Sequence, residues 1–228
     1  MENRLLASLP DEELKDLLPH FQRVSLAHAE TVIVPDEPIR DLYFPLTSLL
    51  SLVTVMEDGS TVESGSIGRE GMSGVPVLLD AWETPMLTVT QIPGEAIKVK
   101  AEIIKDAFDK DGALRKILNR YMHTVIVTGS QSAACNRLHK VEARLCRWLL
   151  MSSDGVGSDE LRLTQEFLAT MLGVRRAGVT EAAVKLQDAG FISYGRGHIK
   201  ILDRERLEQV ACECYHMTKN EYDRLFGD

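Results

Sequence analysis

The residues best placed by type and spacing to do chemistry lie in one stretch near the C-terminal end, LRLTQEFLATMLGVRRAGVTEAAVKLQDAGFISYGRGHIKIL (161–202). Arg175 and Arg176 are adjacent cations directly after Gly173-Val174. Guanine presents O6 and N7 to a bidentate arginine, so two arginines opening a helix suit a DNA major groove. Arg196, His198 and Lys200 follow within a short glycine-containing segment and can reach phosphate oxygens. Thr164 and Gln165 stand where backbone N–H groups of a helix start would also face a phosphate. Val179 and Thr180 complete the set of expected DNA-contacting positions, although Val179 also falls on the inward apolar stripe of its helix. Taken alone, an Arg-Arg pair is more often a solvated surface, so the reading rests on the elements around it.

Those elements are legible. Thr164 can cap a helix whose apolar face is Phe167, Leu168, Met171 and Leu172. Gly173 sits where a helix must stop and turn. A second helix from about Arg175 turns Val179, Ala182, Ala183 and Leu186 inward and ends at Gly190. Residues 191–194 and 198–201 flank Gly195-Arg196-Gly197 as a small hairpin. Helix, glycine turn, helix and hairpin outline a winged helix-turn-helix.

Upstream, residues 5–18 have helical spacing, whereas short segments rich in Val, Ile, Thr and Leu occupy 31–34, 49–56, 61–63, 86–91 and 96–99. Turn punctuation separates them, and Glu57-Asp58-Gly59-Ser60 reads as a hairpin. Strands this closely spaced imply an antiparallel roll. Beyond Lys100 the texture is helical. Residues 101–109 form a short helix, and residues 112–138 contain no proline. Along this second stretch Leu114, Ile117, Leu118, Tyr121, Met122, Val125 and Ile126 recur at three- and four-residue steps, and Gly129, Ser130, Ser132, Ala133 and Ala134 follow. Such a stripe suits an internal core helix or an intermolecular seam. Residues 152–159 read as a polar linker. The organisation is α+β: a sensor roll over 1–110, a long helix over 111–138 and a winged helix-turn-helix over 139–228.

The 228 residues carry 26 basic and 34 acidic side chains, a net charge of −8. Residues 1–138 hold 13 basic and 20 acidic groups, net −7, while residues 162–202 hold six and three, net +3. A positive island in an acidic chain points to a local polyanion partner. The longest apolar-leaning run, 42–55, is broken by Pro45 and too short to span a bilayer, so no membrane partner is expected. Four cysteines without a CxxC pair imply reduced thiols and a cytoplasmic setting. Cys212-Glu213-Cys214-Tyr215-His216 invites a metal, but residues two apart on a helix point to different faces and no other Cys or His pair is close in sequence. The expectation is packed thiols, no metal and no cofactor. Glycines 65, 68, 71 and 74 match no phosphate-binding loop, and no nucleophile elbow occurs, so no enzymatic motif is present.

The segment TQEFLATMLGVRRAGVTEAAVKLQDAGFI resembles the DNA-binding module of the Crp/Fnr superfamily of bacterial transcription regulators, and the order of parts agrees along nearly the whole chain. The resemblance implies a roll like a cyclic-nucleotide-binding domain, a dimerisation helix formed by the 114–126 stripe, and a homodimer reading a near-palindromic site on double-stranded DNA. Arg176 falls on a position where the family contacts DNA, but Ala177 and Glu181 replace a frequent glutamate and a second arginine, so the family's base code does not carry over. Nucleotide-binding members hold the ribose with Gly-Glu and the phosphate with Arg-Ser. Here Gly74 is followed by Val75, and Pro85-Met86 fall near the Arg-Ser position, which argues against cyclic AMP. The resemblance places an effector pocket of unknown ligand near Arg69, Glu70, Ser73, Val75 and Met86. No cysteine precedes Cys135, so the iron–sulfur site of the family's oxygen sensors has no counterpart. Activation of transcription implies RNA polymerase as a further partner, and no residue marks a surface for it. The rival reading is an effector-sensing protein whose winged helix docks a protein.

Overall fold

The computed structural model describes residues 2–195 and 197–227. Two short helices, α1 (Arg4–Ala7) and α2 (Asp11–Leu17), lead into seven strands interrupted by one helical turn: β1 (Gln22–Leu26), β2 (Thr31–Ile33), β3 (Asp41–Pro45), β4 (Leu49–Val55), β5 (Thr61–Ile67), α3 (Val75–Leu78), β6 (Leu87–Ile92) and β7 (Gly94–Lys100). All described pairings among them are antiparallel, in two sheets ordered β1-β7-β3 and β2-β6-β4-β5. The β4–β5 turn lies at 57–60. Gly59 takes φ +79° there, and the Asp58 carboxylate accepts the Ser60 N–H at 2.9 Å. Strands β1 and β3 were not separated out by the pattern. They flank β7, and β3 ends on Pro45 at a sheet edge, where a missing N–H breaks no ladder.

Helices α4 (Ala101–Asp109) and α5 (Ala113–Leu138) follow as the periodicity predicts. At 1.5 Å per residue α5 is about 39 Å long. Its N-terminal turn is capped from a distance: the Glu13 carboxylate accepts the N–H groups of Ala113 at 2.7 Å and Leu114 at 2.9 Å. A carboxylate there also faces the positive end of the helix dipole. Leu114, Ile117, Leu118 and Tyr121 are buried in the roll's own core with Leu42, Phe44, Met72 and Ile104. This half of the expected seam is therefore corrected to intramolecular core. Met122 and Val125 are half-buried, and Ile126 is 68% exposed.

The polar linker expected at 152–159 is corrected as well. Helix α6 (Val141–Val156) runs through most of it, with Ser152, Ser153, Gly155 and Val156 buried. Gly155 is a contact glycine: its carbonyl accepts the Arg69 N–H at 2.8 Å, and a Cβ on Gly68 would lie 2.3 Å from the Gly155 Cα. The helix stops only at Gly157, whose φ is +71°.

Strand β8 (Glu160–Arg162), α7 (Gln165–Leu172), α8 (Arg176–Asp188), β9 (Ile192–Gly195) and β10 (His198–Ile201) build the helix-turn-helix and wing, with sheet order β8-β10-β9. Helices α9 (Arg204–Val210) and α10 (Cys214–Phe226) complete the chain, and α10 packs back along α5. Leu145, Trp148, Leu149, Leu168, Leu172, Val179, Leu186 and Tyr215 share one core with Leu49 and Ile92 of the roll. No described helix is long and apolar enough to cross a membrane.

The roll and α6 meet at the carboxyl of a half-buried glutamate. Glu63 on β5 accepts hydrogen bonds from Ser51 Oγ at 2.6 Å and Trp148 Nε1 at 3.1 Å. Burial pushes its pKa up to about 7, against the opposing pull of those two bonds and of Arg147. The folded protein thus holds a proton that the open chain releases near 4.5. Unfolding releases it between those two values, so the Glu63 contribution to stability falls as pH rises through that window. Urea unfolding of wild type and Glu63→Gln at pH 5 and pH 8 is expected to give a smaller loss of stability with pH in the variant; equal losses would refute the assignment.

Candidate nucleic-acid interface

Thr164 caps α7, its Oγ1 accepting the Phe167 N–H at 3.2 Å. Gly173 then takes φ +60°, which a Cβ disfavours. Arg175 is the residue before the first turn of α8 and Arg176 is the first residue within it. Both are exposed. The two helices are latched by side chains: Thr180 Oγ1 donates to Gln165 Oε1 at 2.9 Å. Gln165 and Thr180 thus join the two helices at their exposed side, over the core formed by Leu168, Leu172, Val179 and Ala183. Arg176 also lies 3.6 Å from Glu166, with both side chains mostly in solvent, so the pair is weak and screened.

Val179 is fully buried against α7 and the wing and is removed from the interface. The outward face of α8 instead carries Arg176, Ala177, Glu181 and Val184, the last 49% exposed. Val184 was not singled out by sequence because its residue type suggests core, whereas the helical phase turns it outward. His198 and Lys200 project from β10, which pairs with β9 and β8. Lys200 is engaged within the wing, donating to Glu160 at 2.7 Å, and that carboxylate raises the pKa of its ammonium. Arg196 lies outside the described residues. Of these groups Thr164, Gln165, Arg176 and Val184 line an open groove of about 470 Å³ together with Gln187, Tyr194 and Gly197, whereas Arg175, Thr180, His198 and Lys200 stand outside it.

A second cavity, about 460 Å³, lies between β5, α5, α6 and α10. Of the five expected effector residues, Arg69, Glu70 and Met86 line it. Ser73 and Val75 do not, and this part of the expectation is corrected. Ser73 is buried with its Oγ accepting the Tyr43 N–H at 2.9 Å, and Val75 opens α3 and packs on the roll core. The Gly74 backbone, at φ +76°, is pressed so closely on Leu42 that a Cβ would fall 2.2 Å from that side chain. Tyr121, Thr124, Thr128, Tyr215 and Tyr222 supply the opposite wall. Glu70 turns back to accept the Gly68 N–H at 2.8 Å, and burial raises its pKa.

All four cysteines are buried and free, as expected of packed thiols, but three of them cluster in a way the sequence spacing does not suggest. Cys214 opens α10 and Cys212 precedes it, so the two are not interior to one helix. Both meet Cys135 near the end of α5 and His139 just beyond it, whereas His216 is exposed and apart. Cys146 packs in the winged-helix core, where burial raises its thiol to about 12.

Residues 143–210 match the family model described as a Crp-like helix-turn-helix domain. No protein of curated function matches the chain in sequence. Among solved structures, FixK2 from Bradyrhizobium japonicum is 16% identical over 84% of this chain and 98% of its own, with a TM-score of 0.69. The c-di-GMP responsive global regulator CLP of Xanthomonas campestris is 18% identical over 84% and 99%, with a TM-score of 0.66. A putative Crp/Fnr-family transcriptional regulator from Eubacterium rectale is 19% identical over 90% and 96%, with a TM-score of 0.62. With a roll, a long helix and a winged helix in the same order, the chain has the fold of the Crp/Fnr regulators and carries a Crp-like helix-turn-helix domain at residues 143–210.

Proposed function

We propose that this chain is a transcription regulator that reads double-stranded DNA as a homodimer and responds to a small molecule held between roll and long helix. The observation that carries the reading is the outward face of α8, which opens on two exposed arginines and is backed by the buried contacts of Val179, Ala182, Ala183 and Leu186. On that face Arg176 suits a guanine edge, Ala177 and Val184 suit thymine methyl groups, and Glu181 suits a cytosine amine. The N-terminal turn of α7, with His198 on the wing, would settle the phosphates on either side.

Dimerisation would use the face of α5 that its own chain leaves open. Ile126 stands there beside Gly129, Ser130, Ala133 and Ala134, all exposed and small enough for close helix approach. A two-fold axis along α5 would place two copies of α8 in successive major grooves, about 34 Å apart. The effector would act through different affinities for the DNA-competent and incompetent arrangements of that pair. Its cavity sets acidic Glu70, Asp154 and Asp223 among Arg4, Arg69 and Lys219. Arg4 and Lys219 pair with Asp223, and Asp154 with Arg204, whereas Arg69 has no carboxylate within salt-bridge distance among the described residues. A ligand with a single anionic group beside an uncharged body suits this wall.

Selection of bound duplexes from a random pool is expected to yield a two-fold symmetric site with half-sites one turn apart. Arg176→Ala should weaken binding to that site by about 1–3 kcal/mol and relax one base pair per half-site. An equal loss on unrelated DNA would reassign Arg176 to a phosphate. Binding that shows no salt dependence, in place of a log–log slope near −0.9 per phosphate neutralised, would favour a protein partner for the winged helix.

Ile126→Glu is expected to convert a dimer to a monomer by light scattering and to abolish binding to the two-fold site. A variant that remains dimeric would place the interface elsewhere.

A further inference from the structure

Cys135, His139, Cys212 and Cys214 come together although 77 residues separate Cys135 from Cys212. One ligand-type atom from each lies within 4.8 Å of the other three. The Sγ atoms of Cys135 and Cys212 are 3.5 Å apart, as are Cys214 Sγ and His139 Nδ1. Bonds of about 2.3 Å to sulfur and 2.0 Å to nitrogen set tetrahedral ligands roughly 3.5–3.8 Å apart. Two of the six separations match that spacing and the others are at most 4.8 Å, close enough for small side-chain shifts to bring all four groups onto a single small ion.

We propose that these four residues form a Cys₃His site for a thiolate-preferring divalent metal ion, zinc being the first assignment. Three thiolates and one imidazole select zinc over the hard cations, and zinc imposes no geometry of its own. A multinuclear iron–sulfur core would hold its ligands on separate irons and hence further apart.

The surroundings supply what such a site requires. The His139 ring turns Nδ1 toward the thiols while Nε2 meets the Glu213 carboxylate at 3.1 Å, the outer-shell partner that orients a metal-bound imidazole. Gln131 Nε2 donates to Cys214 Sγ at 3.0 Å. Three thiolates around a divalent ion leave one net negative charge. Arg144 and Arg147 are each more than nine-tenths buried, close enough to Cys135 for their charges to act on it, and among the described residues neither has a carboxylate within salt-bridge distance. A buried guanidinium without an anion is costly, and an anionic metal centre would balance it. Cys135 comes from the last turn of α5, His139 from the extended residue that caps it, and Cys212-x-Cys214 from the junction of α9 and α10. An ion here would clamp the end of the long helix to the C-terminal helix that runs back along it.

The test is metal analysis of the full chain purified anaerobically with reductant, together with Zn²⁺ and Co²⁺ titration after chelation. Expected are about one zinc per chain, tetrahedral cobalt bands with thiolate charge transfer, and a thermal midpoint that falls on chelation and returns with zinc. Cys214→Ser should lose the ion, and His139→Cys should retain it. Since Cys214→Ser can fail to fold, the wild-type titration stands independently of it. Natively folded protein that takes up neither Zn²⁺ nor Co²⁺ would overturn the site. So would a Cys135–Cys212 disulfide in metal-free protein, or iron accompanied by inorganic sulfide.

Discussion

The orientation of the proposed DNA-reading surface depends on how the winged helix is seated on the roll, and the centre of that seat is the Glu63 carboxyl beneath Trp148. Its two hydrogen bonds join β4, β5 and α6 in a region where the backbones of Gly68 and Gly155 touch without intervening side chains. Around it, α7 rests on β5, Phe167 meets His28 edge-on at 5.8 Å, and Met171 Sδ lies 3.7 Å from Ser51 Oγ. Because Leu49 and Ile92 belong to the same core as α6, α7 and α8, the roll and the winged helix cannot part without exposing apolar surface. A neutral carboxyl can remain in such a place with two donors; an ionised one would pull water in.

This arrangement gives the proposed effector a mechanical route. Its cavity shares Arg69 and Glu70 with the loop after β5, and Met151 and Asp154 with α6. The Arg69 N–H is bonded to the Gly155 carbonyl, so a ligand that moves this loop moves α6 with it. Interiors packed this tightly answer a push by shifting as blocks, not by deforming gradually.

Local chemistry made the winged helix readable from sequence. Thr164, Gly173 and Gly190 each mark an element end through their own backbone preferences, and the stripe of α8 has the right phase. Features that depend on what lies opposite were harder to see. Leu114 and Ile126 look alike in a helical repeat, yet one faces the roll and the other faces out. Gly155 has the signature of a linker until Gly68 is brought against it. The thiol cluster was hidden for the same reason: its halves are distant in the chain, and only the return of α10 along α5 joins them. The i, i+4 spacing of Cys135 and His139 was the one local signal of it.

That return has a consequence for how the protein is made. Gln131 on α5 and Cys214 on α10 are 83 residues apart. At roughly 5–20 residues per second of synthesis, α5 waits about 4–17 s for its covering helix. The waiting surface turns Tyr121, Thr124, Val125 and Thr128 toward the cavity, so that threonines alternate with the larger apolar groups. Its greasy half, Leu114 to Tyr121, packs on a roll that has already left the ribosome. The long helix is thus most apolar where its partner comes early, and Thr124, Thr128 and Gln131 break up its apolar surface where its partner comes late, which limits misassociation of nascent chains.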